Sequence, residues 1–511
     1  MNGAEALLRT LVAGGVDTCF ANPGTSEMHI MDATGRVPEF RVVPCLFEGV
    51  ATGAADGYAR MTGRAAATLL HLGPGLANGL ANLHNAGKAR TPVVNIVGEH
   101  PAYHRARETP LGSDVGGVAR PFSDWLRTSA STAGLPADAV DAVQAAMTGK
   151  VATLAVPADV AWGEDARAAS LPPAALRQMP PVARITQALA MLTSGVPTAL
   201  ILGDEALHGA GLTLAGRIAD GAGVALIAPF PLARLERGQG RPKVTRLPYV
   251  AGQAREVLGR FRQFIFAGTT EPFAYFAHPD DDAALIPQGS THSVLTEPGE
   301  NTLAALEYLA AAFPRKAGAT LSSAEMPACP SGVLSPEGVA GVIAALLPEQ
   351  AIVIDEGMTC GRAIMAACVN SPAHDWLGNT GGSIGIAMPL AVGAALAAPD
   401  RPVLCISADG SGMYTLQSLW TMAHEGLAVT TVIFANNAYA LLKQEYARVA
   451  AGQPAQAVVD KFDLAQPALD WVSLAKGMGV PGRRVASLDE FAAALRDGLT
   501  SRGPNLIEVP L

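Results

Sequence analysis

Residues 403–440, VLCISADGSGMYTLQSLWTMAHEGLAVTTVIFANNAYA, decide how the chain folds. Val403 opens a run of apolar and small residues that ends at Ala408-Asp409-Gly410-Ser411, and a second run, 429–434, ends at Asn436-Asn437. Between them apolar residues recur at helical spacing, which predicts a helix over about 414–425. Two buried strands joined by a helix make a parallel βαβ unit whose strand ends open on one edge of the sheet. Asp409 and Asn436 are therefore expected side by side. A carboxylate and an amide oxygen at that edge are hard ligands suited to Mg2+ carrying a phosphorylated molecule. Gly410 lets backbone approach a phosphate, Ser411 can donate a hydrogen bond, and the predicted helix turns its positive end toward the anion.

At 511 residues the chain is long enough for two to four domains, each with its own core. Charged residues make up 16% against a usual quarter or so, and 49% are apolar, so further surface is expected to be buried in an oligomer. The net charge of -9 comes with no basic run, which argues against a nucleic-acid partner. No uninterrupted apolar stretch reaches the roughly 18 residues of a membrane span, and Met1-Asn2-Gly3-Ala4-Glu5 lacks the basic start of a secretory signal. The expectation is a soluble, cytoplasmic protein with no membrane partner. Cys19, Cys45, Cys329, Cys360, Cys368 and Cys405 include no CxxC pair and read as buried thiols rather than disulfides or zinc ligands.

Residues 1–168 alternate helix and strand patterns. A helix over about 4–13 is followed by a strand at 18–20, the loop Asn22-Pro23-Gly24-Thr25-Ser26, a strand at 42–45, a helix over 49–61 and a strand at 66–71. This alternation predicts a doubly wound α/β domain. A Pro-rich linker, 170–184, leads to a second α/β domain over about 185–313, with strands near 198–202, 224–227 and 264–266. No GxGxxG follows any of these strands, so no dinucleotide site is indicated. A second linker, 314–336, precedes a third domain over 337–511. The expected fold class is α/β, three doubly wound domains with parallel sheets.

The turn at Asp409 and a strand-end Asn 27 residues later resemble the thiamine diphosphate (ThDP) signature, GDG, then a helix and a strand, then NN. Ala408 replaces the first Gly and Ala435 stands at the usual first Asn position; neither departure removes a metal ligand. By this resemblance Asp409, Asn436 and the main-chain carbonyl of Ala438 would hold Mg2+, with Gly410, Ser411, Asn436, Ala438 and Tyr439 among the cofactor-binding residues. Three α/β domains in this order resemble ThDP-dependent 2-oxo acid decarboxylases and acetolactate synthases, which carry pyrimidine-binding, central and diphosphate-binding domains in turn. The resemblance covers essentially the whole chain. It implies a homo-oligomer, a dimer or a homotetramer, with each active site shared between subunits.

Glu48 opens EGVATGAADGYAR, at a strand end before a helix whose first turns are almost wholly apolar. A carboxyl in such surroundings is suited to sharing a proton with a heterocyclic nitrogen. The resemblance gives Glu48 that role toward the aminopyrimidine ring. Gly381-Gly382-Ser383-Ile384-Gly385-Ile386-Ala387-Met388-Pro389 resembles the family's GG-x-x-G-x-x-x-P stretch, in which Ile384 would wedge under the cofactor. Asp355-Glu356-Gly357-Met358-Thr359-Cys360, after a strand at 351–354, resembles the loop that bonds the diphosphate, so Thr359 and the main chain of Met358 are candidates.

On the substrate side, Asn22-Pro23-Gly24-Thr25 resembles a loop that benzoylformate decarboxylases place near the substrate carboxylate, with Thr25 as the aligned hydroxyl. His71, before Gly73-Pro74-Gly75, matches a His of those enzymes, where acetolactate synthases usually carry a small polar residue. That favours a His acid/base. A second active-site His has several candidate positions: His278 in PFAYFAHP, the better-aligned Tyr275 or Phe276, and His100 and His104 beyond a strand at 93–97. The resemblance implies ThDP- and Mg-dependent non-oxidative decarboxylation of a small-molecule 2-oxo acid, ending in aldehyde release or ligation to a second carbonyl. An acetolactate synthase-type carboligase, an FAD-dependent oxidase on the same fold and a non-catalytic ThDP-fold subunit are the other readings.

Overall fold

Runs of β-branched and apolar residues between Gly- and Pro-containing turns fold into separate sheets with helices packed on their faces. The computed structural model describes residues 1–172, 177–276, 282–313, 321–322, 325–449 and 455–511. Parts of both linkers read from the sequence lie outside the described residues. The first sheet has six parallel strands in the order Arg41–Pro44, Thr18–Asn22, Ala66–Leu70, Val93–Glu99, Val151–Pro157 and Trp125–Thr128. The second has five parallel strands, with Thr198–Leu202 at its centre. The third is seven-stranded and holds Val403–Ala408 between Ile352–Asp355 and Val429–Ala435. The expected α/β class with parallel sheets is thus observed.

One strand departs from that scheme. Arg234–Arg237, in the central part of the sequence, leaves its neighbours and pairs antiparallel with His374–Gly378 at the edge of the third sheet. Asp375 holds it there, accepting from Arg234 Nε at 2.7 Å and from Arg401 Nη2 at 2.6 Å. Burial alone would raise the Asp375 carboxyl, but the two guanidinium groups outweigh it and hold the carboxyl below its ordinary range.

The helix expected over 414–425 is shorter and broken. A single turn, Asp409–Gly412, starts at the strand end, and the regular helix is Ser418–His424. The chain between them is diverted because Thr415 Oγ1 donates to Gly385 O at 2.6 Å, a tertiary bond that periodicity cannot signal. His71, expected as the last strand residue, is instead the N-cap of the helix Leu72–Ala89. Five cysteines are buried and unbridged, while Cys329 is exposed. Among the described residues no helix is long and apolar enough to cross a membrane.

The first and third sheets share one core. The helices Glu48–Thr62 and Ala387–Ala397 cross in direct backbone contact, and a single apolar cluster runs from Phe20 through both helices to Ile433. Gly57 and Gly393 make the crossing possible: a Cβ on Gly57 would overlap the Leu390 carbonyl, and one on Gly393 the Ala54 carbonyl. The buried Arg60 secures the same joint. It pairs with Asp56 at 2.6 Å and donates to Gly378 O at 2.7 Å, Thr380 Oγ1 at 3.1 Å and Ala233 O at 3.2 Å. Gly393→Ala is therefore expected to lower stability by at least about 1–3 kcal/mol, read as a reduced midpoint in urea unfolding.

Candidate active site

The C-terminal ends of the third sheet's strands carry one half of the site. Asp409 follows the strand Val403–Ala408 directly and is 2% exposed. Its Oδ1 accepts from Gly410 N at 2.8 Å and its Oδ2 from Asn437 N at 2.6 Å, so the ends of the two strands are stitched together through this carboxylate. Burial raises the Asp409 carboxyl, and the backbone N–H donors pull against it. Among the described residues Asp409 forms no ion pair. A buried carboxylate of that kind fits a cation.

Asn436 lies beside it, its Oδ1 accepting from Ala438 N at 3.0 Å and its Nδ2 donating to Cys360 Sγ at 3.7 Å. Among the described residues no three His, Cys, Asp or Glu side chains converge. A cation at this edge would thus be held by oxygens of mixed type, one carboxylate, one amide and a main-chain carbonyl such as that of Ala438. Gly410 keeps the turn open, since a Cβ there would stand 2.8 Å from the ring of Tyr439. Ser411 is buried in the same turn.

Backbone strain gathers at the same edge. Met358 has φ of 48° and Asn437 φ of 51°, a region that costs residues with a Cβ about 1–3 kcal/mol and persists where the surroundings enforce it. Met358 and Thr359 open the one-turn helix Met358–Gly361. The Gly-rich segment beside them is tied from outside: Asn85 bonds both the N–H and the carbonyl of Ser383, at 3.2 and 2.9 Å. Ile384 stands in this segment between Ser383 and the left-handed Gly385. Gly382 is left-handed too, at φ of 78°, and the Tyr275 hydroxyl occupies the space a Cβ would need. Tyr275 belongs to a cluster of rings with Phe230, Tyr249 and Phe276, so the central part of the chain walls this side of the crevice.

The other half comes from the first sheet. Glu48 is the first residue of its helix and is 8% exposed. Its Oε2 accepts from Asn78 Nδ2 at 3.1 Å, and Gly75 leaves space beside its Oε1. Thr25 is exposed at the start of the turn Thr25–Glu27. His71 contacts Glu27, with Nδ1 to Oε2 at 2.8 Å, and its ring packs against Gly24.

Glu27 escaped the sequence reading. It is fully buried, accepts from Gly24 N at 2.7 Å, and has an Oε1 with no partner among the described residues. Burial raises its carboxyl, countered by Gly24 N–H and His71. The available signal was a Glu three residues after Gly24, the spacing of a capping box; its link to His71 spans 44 residues and has no local signature. His100, just after the strand Val93–Glu99, and His104, in the one-turn helix Ala102–Arg105, pack ring to ring at 5.0 Å, and His278 lies outside the described residues.

Known proteins resemble this chain over its full length. The thiamine pyrophosphate enzyme N-terminal TPP binding domain matches residues 1–115, and the C-terminal TPP binding domain matches residues 357–509. IlvX of Mycobacterium tuberculosis, provisionally named an acetolactate synthase large subunit, is 49% identical over 516 residues, covering 100% of this chain and 99% of the relative. The benzoylformate decarboxylase of Pseudomonas aeruginosa is 29% identical over 528 residues, covering 97% of this chain and 96% of its own. In fold, the chain superposes on a thiamine diphosphate-dependent 4-hydroxybenzoylformate decarboxylase of Rhodococcus jostii with a TM-score of 0.86 at 24% identity, over 100% of this chain and 99% of that one.

The Glu27–His71 contact depends on the missing side chain at position 24. Gly24→Ala is expected to push the His71 ring off Glu27 and to cost about 1–3 kcal/mol of stability; the His71 ring resonances in NMR spectra at one fixed pH should move, while those of His292 stay in place.

Proposed function

Because the chain belongs to the thiamine pyrophosphate enzyme family, we propose that it is a ThDP- and Mg2+-dependent, non-oxidative 2-oxo acid decarboxylase and carboligase of the benzoylformate decarboxylase kind. The observation that carries this reading is a pair of buried carboxylates without cationic partners among the described residues: Glu48 at the edge of one sheet and Asp409 at the edge of another. One suits a heterocyclic nitrogen and the other a cation. When bound, ThDP supplies a thiazolium ring that takes up the electron pair released on decarboxylation.

The chain's own groups bind, orient and handle protons. Asp409, Asn436 and the carbonyl of Ala438 would hold Mg2+, and Gly410, Ser411, Tyr439, Thr359 and the main chain of Met358 would receive the diphosphate. Gly382 and Ile384 would lie against the cofactor, and Glu48, steadied by Asn78, would give or take a proton at its aminopyrimidine ring. Thr25 faces the substrate carboxylate. His71, with Nδ1 engaged by Glu27, leaves Nε2 to give or take a proton at the substrate oxygen. The aromatic cluster around Tyr275 excludes water from the opposite wall.

Exposed apolar side chains lie beside both halves, Leu46 near Glu48 and Tyr414, Tyr439 and Leu442 near Asp409. This supports a homo-oligomer in which a second copy completes each site. The IlvX relative supports a second reading, an acetolactate synthase-type carboligase, in which pyruvate is converted to acetolactate rather than acetaldehyde.

A panel of aryl and aliphatic 2-oxo acids, assayed for CO2 release with ThDP and Mg2+, tests the proposal; no release from any of them together with no ThDP binding would sink it. Product analysis with pyruvate separates the two readings. Glu48→Gln should retain ThDP binding and lose about 100-fold or more in kcat. Asp409→Ala should lose Mg2+ and ThDP together in calorimetry, and unchanged affinity would remove it from the metal site.

A further inference from the structure

One buried acid stands inside a sequence motif without a role of its own and takes no part in the mechanism above. Glu356 follows the strand Ile352–Asp355 and is 4% exposed. Its Oε1 accepts from Gly385 N at 3.0 Å, Asn379 Nδ2 at 3.2 Å and Ile386 N at 3.4 Å, and its Oε2 from Ala387 N at 3.3 Å. Among the described residues it forms no ion pair. The titratable group on the neighbouring strand is the Cys405 thiol, kept protonated first by burial and then by this carboxylate.

Consecutive N–H groups converge on one carboxylate only where the chain bends around it. Glu356 thus sets the path of Gly385-Ile386-Ala387 and the direction in which Ile384, one residue earlier, leaves the backbone. Asn379 is drawn into the same knot, donating also to Ser383 O at 2.9 Å and accepting from Gly382 N at 2.8 Å. In the other direction Glu356 is bonded to Gly357 and, through it, to the left-handed Met358.

We propose that Glu356 is a positioning residue whose carboxylate locks the loop at 357–361 to the Gly-rich segment at 379–387, fixing the groups that receive the diphosphate relative to Ile384. The proposal deepens the functional reading above and rests on it. A protonated carboxyl would put a donor among donors, so the lock needs the ionised form. Burial pushes this carboxyl up to about 7 against the pull of its donors. A folded-state value above the ordinary 4.5 means that its contribution to stability is full below about 4.5 and is lost as pH rises through about 7. Order in the two loops follows the opposite course, improving as the carboxyl ionises. An acid that served folding alone would show the first trend without the second.

The test compares the full-length wild type with Glu356→Gln and Glu356→Asp, using ThDP and Mg2+ as the probe. Three quantities are followed across pH: ThDP affinity by calorimetry, hydrogen–deuterium exchange at the thiazolium C2 of bound ThDP by quenched NMR, and thermal unfolding of the protein without ThDP. Exchange in the wild type is expected to rise through an inflection near 7. In Glu356→Gln it should be slower by about 100-fold, the effect of a misplacement near 1 Å, and should lack that inflection. Glu356→Asp, which keeps the charge on a shorter arm, should recover part of the rate and the inflection. A folded Glu356→Gln protein with the wild-type rate and profile overturns the proposal, as does a change confined to unfolding temperature. Should Glu356→Gln fail to fold, a wild-type profile without the inflection overturns it. Failure of the wild type to bind ThDP removes the functional reading itself; binding by the wild type with an indifferent variant removes only the positioning role.

Discussion

The close crossing of the helices Glu48–Thr62 and Ala387–Ala397 is the constraint on which the rest of the molecule depends. At Gly57 and Gly393 the two backbones touch, and no residue with a Cβ fits at either place. That contact merges the cores of the first and third sheets into one apolar cluster. It also decides where the chemistry-bearing residues go, because Glu48 begins one helix and the Gly-rich segment with Ile384 runs into the start of the other. Arg60 adds an ionic tie across the same joint, linking Asp56 to the backbone at Gly378 and to Thr380. A buried ion pair of this sort contributes little net stability but makes any other packing costly, since a displaced partner would leave a buried charge alone.

Around that joint the candidate site is built by bending backbone rather than by recruiting many charged side chains. Met358 and Asn437 are held in the left-handed region, and Gly382 and Gly385 occupy it beside them. Strain of this kind persists only where neighbours enforce it. The neighbours are identifiable: Asp409 takes the N–H of Asn437, Glu356 takes those of Gly385, Ile386 and Ala387, and Asn85 grips Ser383 from the first sheet's side. Carboxylates that accept backbone N–H groups in this way hold loops open toward a ligand while staying out of its way.

Much of this is legible in the amino-acid sequence. The strand runs ending at Asp409 and Asn436 predicted a parallel βαβ edge, and the two residues do meet there. The helix at 49–61 and the strands at 18–20 and 42–45 differ from the observed elements by a residue or two. Other features were invisible for a common reason. The broken helix after Gly412 follows from a bond between Thr415 and Gly385, the transfer of Arg234–Arg237 to the third sheet from a salt bridge to Asp375, and the wall at Gly382 from Tyr275. Each partner is far away in sequence and carries no periodicity that announces it.

By itself, then, the sequence determined the element types, the parallel sheets and the edge at which Asp409 and Asn436 stand, because hydrophobic spacing, turn residues and the handedness of crossovers act over short stretches of chain. Only the tertiary structure decided that Glu27 backs His71, that Glu356 gathers the Gly-rich segment around itself and that a central strand crosses to another sheet. Those outcomes depend on which buried polar groups find partners once the helices have packed, and a buried donor or acceptor is satisfied by whatever the fold brings within about 3 Å of it.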